Sequence, residues 1–314
     1  MVARPFSTRF VADGKIWVVD IDLEKFFDKV NHDVLMRLVA EHVKDKALLR
    51  LIRKFLTAGM MENGICTSRK TGTPQGGPLS PMLANIMLHQ LDVELEKRGH
   101  TFCRYADDLN VYVRSKAAAQ RVLKSISIFI EEKLKLTVNR DKSTVDKVQN
   151  RQFLGFRLLN NSTITLSPDS RKRIYESLRK VMQRNRGISL GRMIKEVNSR
   201  IIGWFHYFKI AEAKQFMQQL DGWIRRKLRT VRIKQRKRKY GIKTFLTKQG
   251  ITQKQSWALA KSDKGWWRKS LNPVAHRAMS KAWFGKMGLK SLLHMFVQYR
   301  SETCLLYTSD AADD

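Results

Sequence analysis

Apolar and polar residues change their period along the chain, and the change divides it. Residues 15–23, KIWVVDIDL, form a β-branched apolar run that ends in carboxylates and predicts a strand. Helical spacing follows over residues 32–44 and 46–58, and then a polar, Gly- and Pro-rich loop, SRKTGTPQGGPLSP, over 68–81. In the next stretch, MLANIMLHQLDVELEKR, Leu83, Ile86, Met87, Leu91 and Leu95 recur at helical intervals. Two strands flank Asp107 and Asp108 in FCRYADDLNVYV, a helix is predicted over 116–134, and STVDKV, FLGFRLL and STITL read as short strands. The predicted fold class is α+β as far as Ser167. From Pro168 to Leu228 the period is helical, with Ile174, Leu178, Val181 and Met182 on one face and Ile201, Ile202, Trp204, Phe205 and Phe208 on another.

Charge adds a partner to this outline. The 314 residues carry 61 Lys and Arg against 28 Asp and Glu, a formal +33, with 43% hydrophobic content, enough for a core. Self-repulsion of that size calls for a polyanion, nucleic acid first. No apolar run approaches the ~18 residues of a spanning helix, so no membrane is expected. Cys66, Cys103 and Cys304 stand alone without CxxC or Cys/His metal spacing, so neither a disulfide framework nor a structural zinc site is expected, which fits a cytoplasmic setting. The densest basic run holds Arg225, Arg226, Lys227, Arg229, Arg232, Lys234, Arg236, Lys237, Arg238 and Lys239 between Trp223 and Tyr240. Trp257, Trp266, Trp267, Trp283 and Phe284 follow, a mixture suited to phosphate contact and stacking on RNA, although core packing can claim the tryptophans and a charge run can be a solvated face.

The carboxylates carry the chemistry. Asp107 and Asp108 repel each other where two strands meet, which calls for cations to hold them, and the alternative is an exposed Asp-containing hairpin turn. Asp20 and Asp22 close the first strand and share one face of its pleat. Carboxylates from two strands meeting at one edge can hold a pair of divalent cations about 3.5–4 Å apart, the arrangement of nucleotidyl transfer. Mg²⁺, or Mn²⁺ in its place, suits such oxygen donors and leaves room for a triphosphate.

Five motifs in order, DLEKFFD (22–28), GTPQGGPLSPMLANI (72–86), YADD (105–108), LTVNRDKS (136–143) and FLGF (153–156), resemble the palm of bacterial group II intron reverse transcriptases. GWFHYF (203–208) and LDGWIRRKLR (220–229) resemble their thumb or maturase domain, so the likeness runs from about Val11 to Phe296. It implies a reverse-transcriptase palm, an antiparallel sheet packed with helices, followed by an α-helical thumb/maturase domain. It assigns Asp22, Asp107 and Asp108 to two Mg²⁺ ions and leaves Asp20 a neighbouring structural acid. Phe27 would exclude a ribose 2′-hydroxyl while Phe26 lies in the core. Gln75, Gly76 and Arg104 would meet the incoming dNTP, and Lys142 would give a proton to pyrophosphate. Phe153, Leu154, Gly155 and Phe156 would form the primer grip, with an ordinary core strand as the alternative. The implied partners are an intron RNA template, a DNA or RNA primer, dNTPs and target DNA.

The chain also departs from that pattern. Residues 1–14 match none of the early motifs that bind template and triphosphate, so a truncated N-terminus and weak or absent polymerisation are expected. The palm is expected over 15–167, the helical thumb/maturase region over 168–240 and a basic aromatic region over 241–303. CLLYTSDAADD, 304–314, breaks from the basic pattern and is expected to be an artefactual, disordered tail. The leading function is an RNA-directed DNA polymerase that also binds intron RNA and assists splicing. The alternatives are a maturase with an idle polymerase site, an intron-free reverse transcriptase, and a metal-dependent nuclease, which leaves TPQGG and Phe27 without a purpose.

Overall fold

The computed structural model describes residues 6–58, 60–62, 65–67, 70–74 and 77–310. The chain divides into two compact units, Met1–Ile164 and Thr165–Asp314. In the first, α1 (Phe6–Ala12), β1 (Trp17–Ile21), α2 (Phe26–Lys29), α3 (His32–His42), α4 (Lys46–Thr57), β2 (Met60–Glu62) and β3 (Ile65–Thr67) precede α5 (Ser80–Lys97). Then come β4 (Thr101–Tyr105), β5 (Asp108–Val113), α6 (Lys116–Glu132), β6 (Thr144–Lys147) and a hairpin of β7 (Phe156–Leu158) and β8 (Ile164–Leu166), within which the division falls. The second unit is all-helical: α7 (Pro168–Val181), α8 (Leu190–Phe208), α9 (Lys214–Gln235), α10 (Lys239–Lys248), α11 (Gln253–Lys261), α12 (Trp266–Lys269), α13 (Pro273–Ala278), α14 (Lys281–Lys286) and α15 (Leu292–Asp310).

The antiparallel sheet runs in the order β4-β5-β1-β6, and strand alternation sets what its two faces do. Val19 lies opposite Val111 and Ile21 opposite Leu109, so these four point to one side. There they join Leu35 of α3, Leu83, Met87 and Leu91 of α5 and Ile126 of α6 in the main core. Burying each such side chain contributes about 1.5–3 kcal/mol. Val18 and Tyr112 face the other way, into a smaller cluster with Val11 of α1, Val148 and Leu158. Asp20 pairs with Asn110 and Thr144 on this second side. Side-chain oxygens of Asn31, Asp45 and Ser115 cap α3, α4 and α6, which fixes where these helices begin.

The helical unit is built around α9, whose Met217, Leu220, Ile224, Leu228 and Val231 are buried. It runs across the boundary at 240 drawn from sequence, because α9 is tied to later segments. Asp221 of α9 is buried, and its carboxylate accepts from the Leu292 and Leu293 N–H groups at 3.0 and 3.1 Å and from Ser291 Oγ at 2.5 Å, capping α15. The disordered tail expected from Cys304 is corrected over 304–310, where the backbone continues α15. No Gly or Pro interrupts that run, and an established helix adds one hydrogen bond per residue.

Candidate active site

Asp107 and Asp108 are presented by a two-residue turn closed by the Tyr105–Asp108 pair. Ala106 sits there at φ 55, a left-handed conformation that a Cβ disfavours. Arg104 braces the turn: Nη1 donates to the Ala106 carbonyl at 3.0 Å and to Asn85 Oδ1 at 3.3 Å, and Nε to Asp92 Oδ1 at 2.7 Å. Nη2 bonds the other Asp92 oxygen. All three guanidinium nitrogens thus engage the protein's own groups, and Arg104 braces the turn.

Asp22 lies one residue beyond the last β1–β5 pair, on the face that Asp108 and Asp20 share. The segment LTVNRDKS folds around it. Asn139 N–H donates to the Asp22 carbonyl at 2.9 Å, and Asp22 N–H donates to Ser143 Oγ at 3.1 Å. These bonds bring Lys142 Nζ to 3.7 Å from Asp22 Oδ2. Asp20, by contrast, is held by Arg151, whose Nε donates to Oδ2 at 3.0 Å and whose Nη2 bonds the same oxygen. Arg151 comes 131 positions later in the chain and had no local signal in the sequence.

The result is a cluster of carboxylates with too little positive charge. Burial, then Asp20, Asp107 and Asp22 in that order, push the Asp108 carboxyl up to about 6, with Arg151 opposing. Among the described residues no three His, Cys, Asp or Glu side chains converge closely enough to hold one ion. The donor set still fits a hard divalent cation, because Mg²⁺ takes only one or two carboxylates and completes its shell with water and substrate phosphates.

Around this face, Phe26 is buried in the core and Phe27 is half-buried beside it, ring centroids 5.3 Å apart. Thr73 N–H donates to the Phe27 carbonyl at 2.6 Å, and Gly72 N–H to Val30 at 2.8 Å, so the start of the Gly-rich loop lies along α2. Gly72 is required there: at φ +85, its Cβ would stand 2.7 Å from the Phe27 and Asp28 carbonyls. Gln75 and Gly76 lie outside the described residues. FLGF is a tight turn rather than a core strand. Phe153 and Phe156 exchange two 2.9 Å backbone bonds across Leu154 and Gly155 at φ 51 and 79, a type I′ pattern. Its four residues are half-buried, and Arg151 ties the chain just before it to Asp20.

The basic run of α9 behaves differently from either reading of it. Arg229 is buried, its Nε donates to the Met279 carbonyl at 3.0 Å, and its guanidinium lies 5.7 Å from the Phe284 ring. Burial, aided by Arg225, pulls its pKa down to about 10, so it stays charged at neutral pH. Arg229 is thus engaged by the protein's own groups, unlike the exposed members of the run. Arg226 lies 3.6 Å and Lys227 5.0 Å from the Trp267 ring, and Arg232 and Arg236 each 4.9 Å from Phe245. Lys234 is bonded to Asn185. Arg225 is half-buried, and Lys237, Arg238 and Lys239 are the exposed members of the run.

The family comparisons follow this division. The model described as reverse transcriptase (RNA-dependent DNA polymerase) matches residues 6–158, and that of the group II intron maturase-specific domain matches 171–250. The chain thus carries a region matching reverse transcriptases followed by a region matching the group II intron maturase-specific domain. Group II intron-encoded protein LtrA of Lactococcus lactis is 28% identical over 227 residues, covering 51% of this chain and 38% of that protein. Protein YkfC of Escherichia coli is 30% identical over 178 residues, covering 46% of this chain and 47% of its own. The chain thus spans less than half the length of these two relatives. Among solved structures, apo telomerase from Candida tropicalis aligns at TM-score 0.44 and 14% identity over 85% of this chain and 56% of its own. No helix among the described residues is long and apolar enough to cross a membrane.

Proposed function

We propose that the protein is an RNA-directed DNA polymerase that also binds its intron RNA and assists splicing. The observation that supports this best is the undercompensated carboxylate face of Asp22, Asp107 and Asp108, in a chain matched by both family models. Divalent ions held there, Mg²⁺ in the first place, would activate the primer 3′-hydroxyl and neutralise the departing pyrophosphate. The three aspartates would hold those ions, and Asp20, occupied by Arg151, stays out of the set. The primer 3′-oxygen bonds the α-phosphorus as the bond to pyrophosphate breaks, and the hydroxyl proton leaves to solvent. Lys142, beside Asp22, donates a proton to the pyrophosphate oxygen. Phe27 packs under the sugar and selects dNTPs, Gln75 and Gly76 lie against the nucleotide, and the turn of Phe153, Leu154, Gly155 and Phe156 seats the primer end. The partners are an intron RNA template, a primer, dNTPs and target DNA, met in the cytoplasm.

A second reading, a splicing factor with an idle polymerase site, is favoured by one observation: no three acids converge among the described residues. Addition of a single dNTP to a primer on an RNA template separates the two. Under the first reading wild-type protein extends the primer with Mg²⁺, if only weakly, Asp107→Ala abolishes that extension, and RNA binding is unchanged. Absence of extension by the wild type with RNA binding intact supports the second reading. Loss of both properties in Asp107→Ala contradicts the division of labour.

A further inference from the structure

The cations of α9 are largely absorbed by rings and carbonyls, and this moves attention to the surface just after them. Between Asp221 and Asp263 the sequence has fourteen Lys and Arg and no acid. Helices α10 and α11 occupy the second half of that stretch. Their inner faces are closed by buried Ile242, Phe245, Leu246, Ser256, Leu259 and Ala260. Tyr240, at the start of α10, is 66% exposed, and Trp257 of α11 is half-buried with its ring centroid 6.4 Å from that of Tyr240. Lys243 Nζ stands 5.7 Å from the Tyr240 ring and Lys261 Nζ 5.2 Å from the Trp257 ring. Lys237, Arg238 and Lys239 are exposed directly before Tyr240.

The platform is fixed in place. Gly241 packs so tightly that a Cβ would lie 2.7 Å from the Arg236 carbonyl, which locks the entry to α10 beside Tyr240. Arg236 is itself held on Phe245. Two adjacent rings fringed with lysine, in a stretch of sequence without acids, suit one kind of partner. Bases of a single strand offer π-faces to the rings, and their phosphates lie within reach of the cations. A duplex hides those faces, and an acidic protein has no need of the rings.

We propose that Tyr240 and Trp257 form a base-stacking platform for single-stranded RNA, with Lys237, Arg238, Lys239, Lys243 and Lys261 meeting its phosphates. This rests on the RNA-binding reading above and locates it on α10 and α11 rather than along α9.

The test is titration of the full chain with a fluorescently labelled single-stranded RNA, a DNA strand of the same sequence and an RNA duplex, read by anisotropy across salt concentrations. Wild type should prefer the single-stranded RNA, and binding should quench tryptophan emission less in Trp257→Phe. Tyr240→Ala should weaken binding roughly tenfold and Tyr240→Phe should restore it, with the far-ultraviolet circular dichroism unchanged. Changing Lys237, Arg238 and Lys239 together to Gln should reduce the slope of log affinity against log salt by about 2. Unchanged affinity in Tyr240→Ala and in Trp257→Ala, with wild type still binding RNA, overturns the platform alone. Equal or tighter binding of the DNA strand or the duplex overturns the assignment to single-stranded RNA. Failure of wild type to bind any of the three overturns the RNA-binding reading as well.

Discussion

The carboxylates at the end of β1 and β5 and the cations along α9 are both runs of like charge, and the protein treats them in opposite ways. Of the four acids where these strands meet, two have a cation, Asp20 held by Arg151 and Asp22 with Lys142 at 3.7 Å, while Asp108 has its carboxyl pushed up to about 6. On α9 the charges are met from within. Arg226 and Lys227 share Trp267, Arg232 and Arg236 share Phe245, and Arg229 is sealed against Met279 and Phe284. Charge left uncompensated points to a ligand that will supply the balance. Charge already compensated by rings points to architecture, however suggestive its density in the sequence. Both runs look functional on paper, and only the first keeps its need for a partner once folded.

The strongest way to break this contrast is through Arg229. Arg229→Ala should cost about 2–4 kcal/mol in urea denaturation, since it opens a cavity and strands the Met279 carbonyl. The salt dependence of RNA binding should not move. If stability held and the salt slope fell, Arg229 would be a phosphate ligand and the architectural reading of α9 would fail.

A smaller effect of opposite sign is expected at the sheet edge. For an acid whose folded pKa is raised from 3.8 to about 6, the unfavourable contribution is absent below pH 3.8, grows through that interval, and is complete above about 6. Asp108→Asn should therefore stabilise the metal-free protein at pH 7 by about 1–2 kcal/mol, a figure discounted for its partial exposure to solvent, and the gain should vanish by pH 4. Lower stability of Asp108→Asn at pH 7 would mean that the carboxylate is already compensated, and the two regions would no longer differ.

Much of the palm was legible because its signals are local. Alternation in WVVDI and DLNVYV set the faces of the sheet, and helical spacing placed Leu83, Met87 and Leu91. What could not be read were contacts between distant residues. Nothing near Arg151 shows that it will clamp Asp20, and nothing in YADD shows that Arg104 will be turned back onto Asp92 and Ala106. FLGF read equally well as a strand, because the positive φ of Leu154 belongs to a turn that only Gly155 hinted at. In the basic run, linear density gives the number of cations but not which of them meet a ring. That depends on Phe245, Trp267 and Phe284, which return from later helices.

The most direct measurement is a Mn²⁺ titration of the metal-free protein followed by electron paramagnetic resonance, comparing wild type with Asp22→Asn and with Asp33→Asn, an exposed acid of α3 paired to Arg53. Wild type should bind Mn²⁺, Asp22→Asn should weaken that binding at least roughly tenfold, and Asp33→Asn should leave it unchanged. Equal binding by wild type and Asp22→Asn would contradict the assignment of the β1–β5 edge as the cation site.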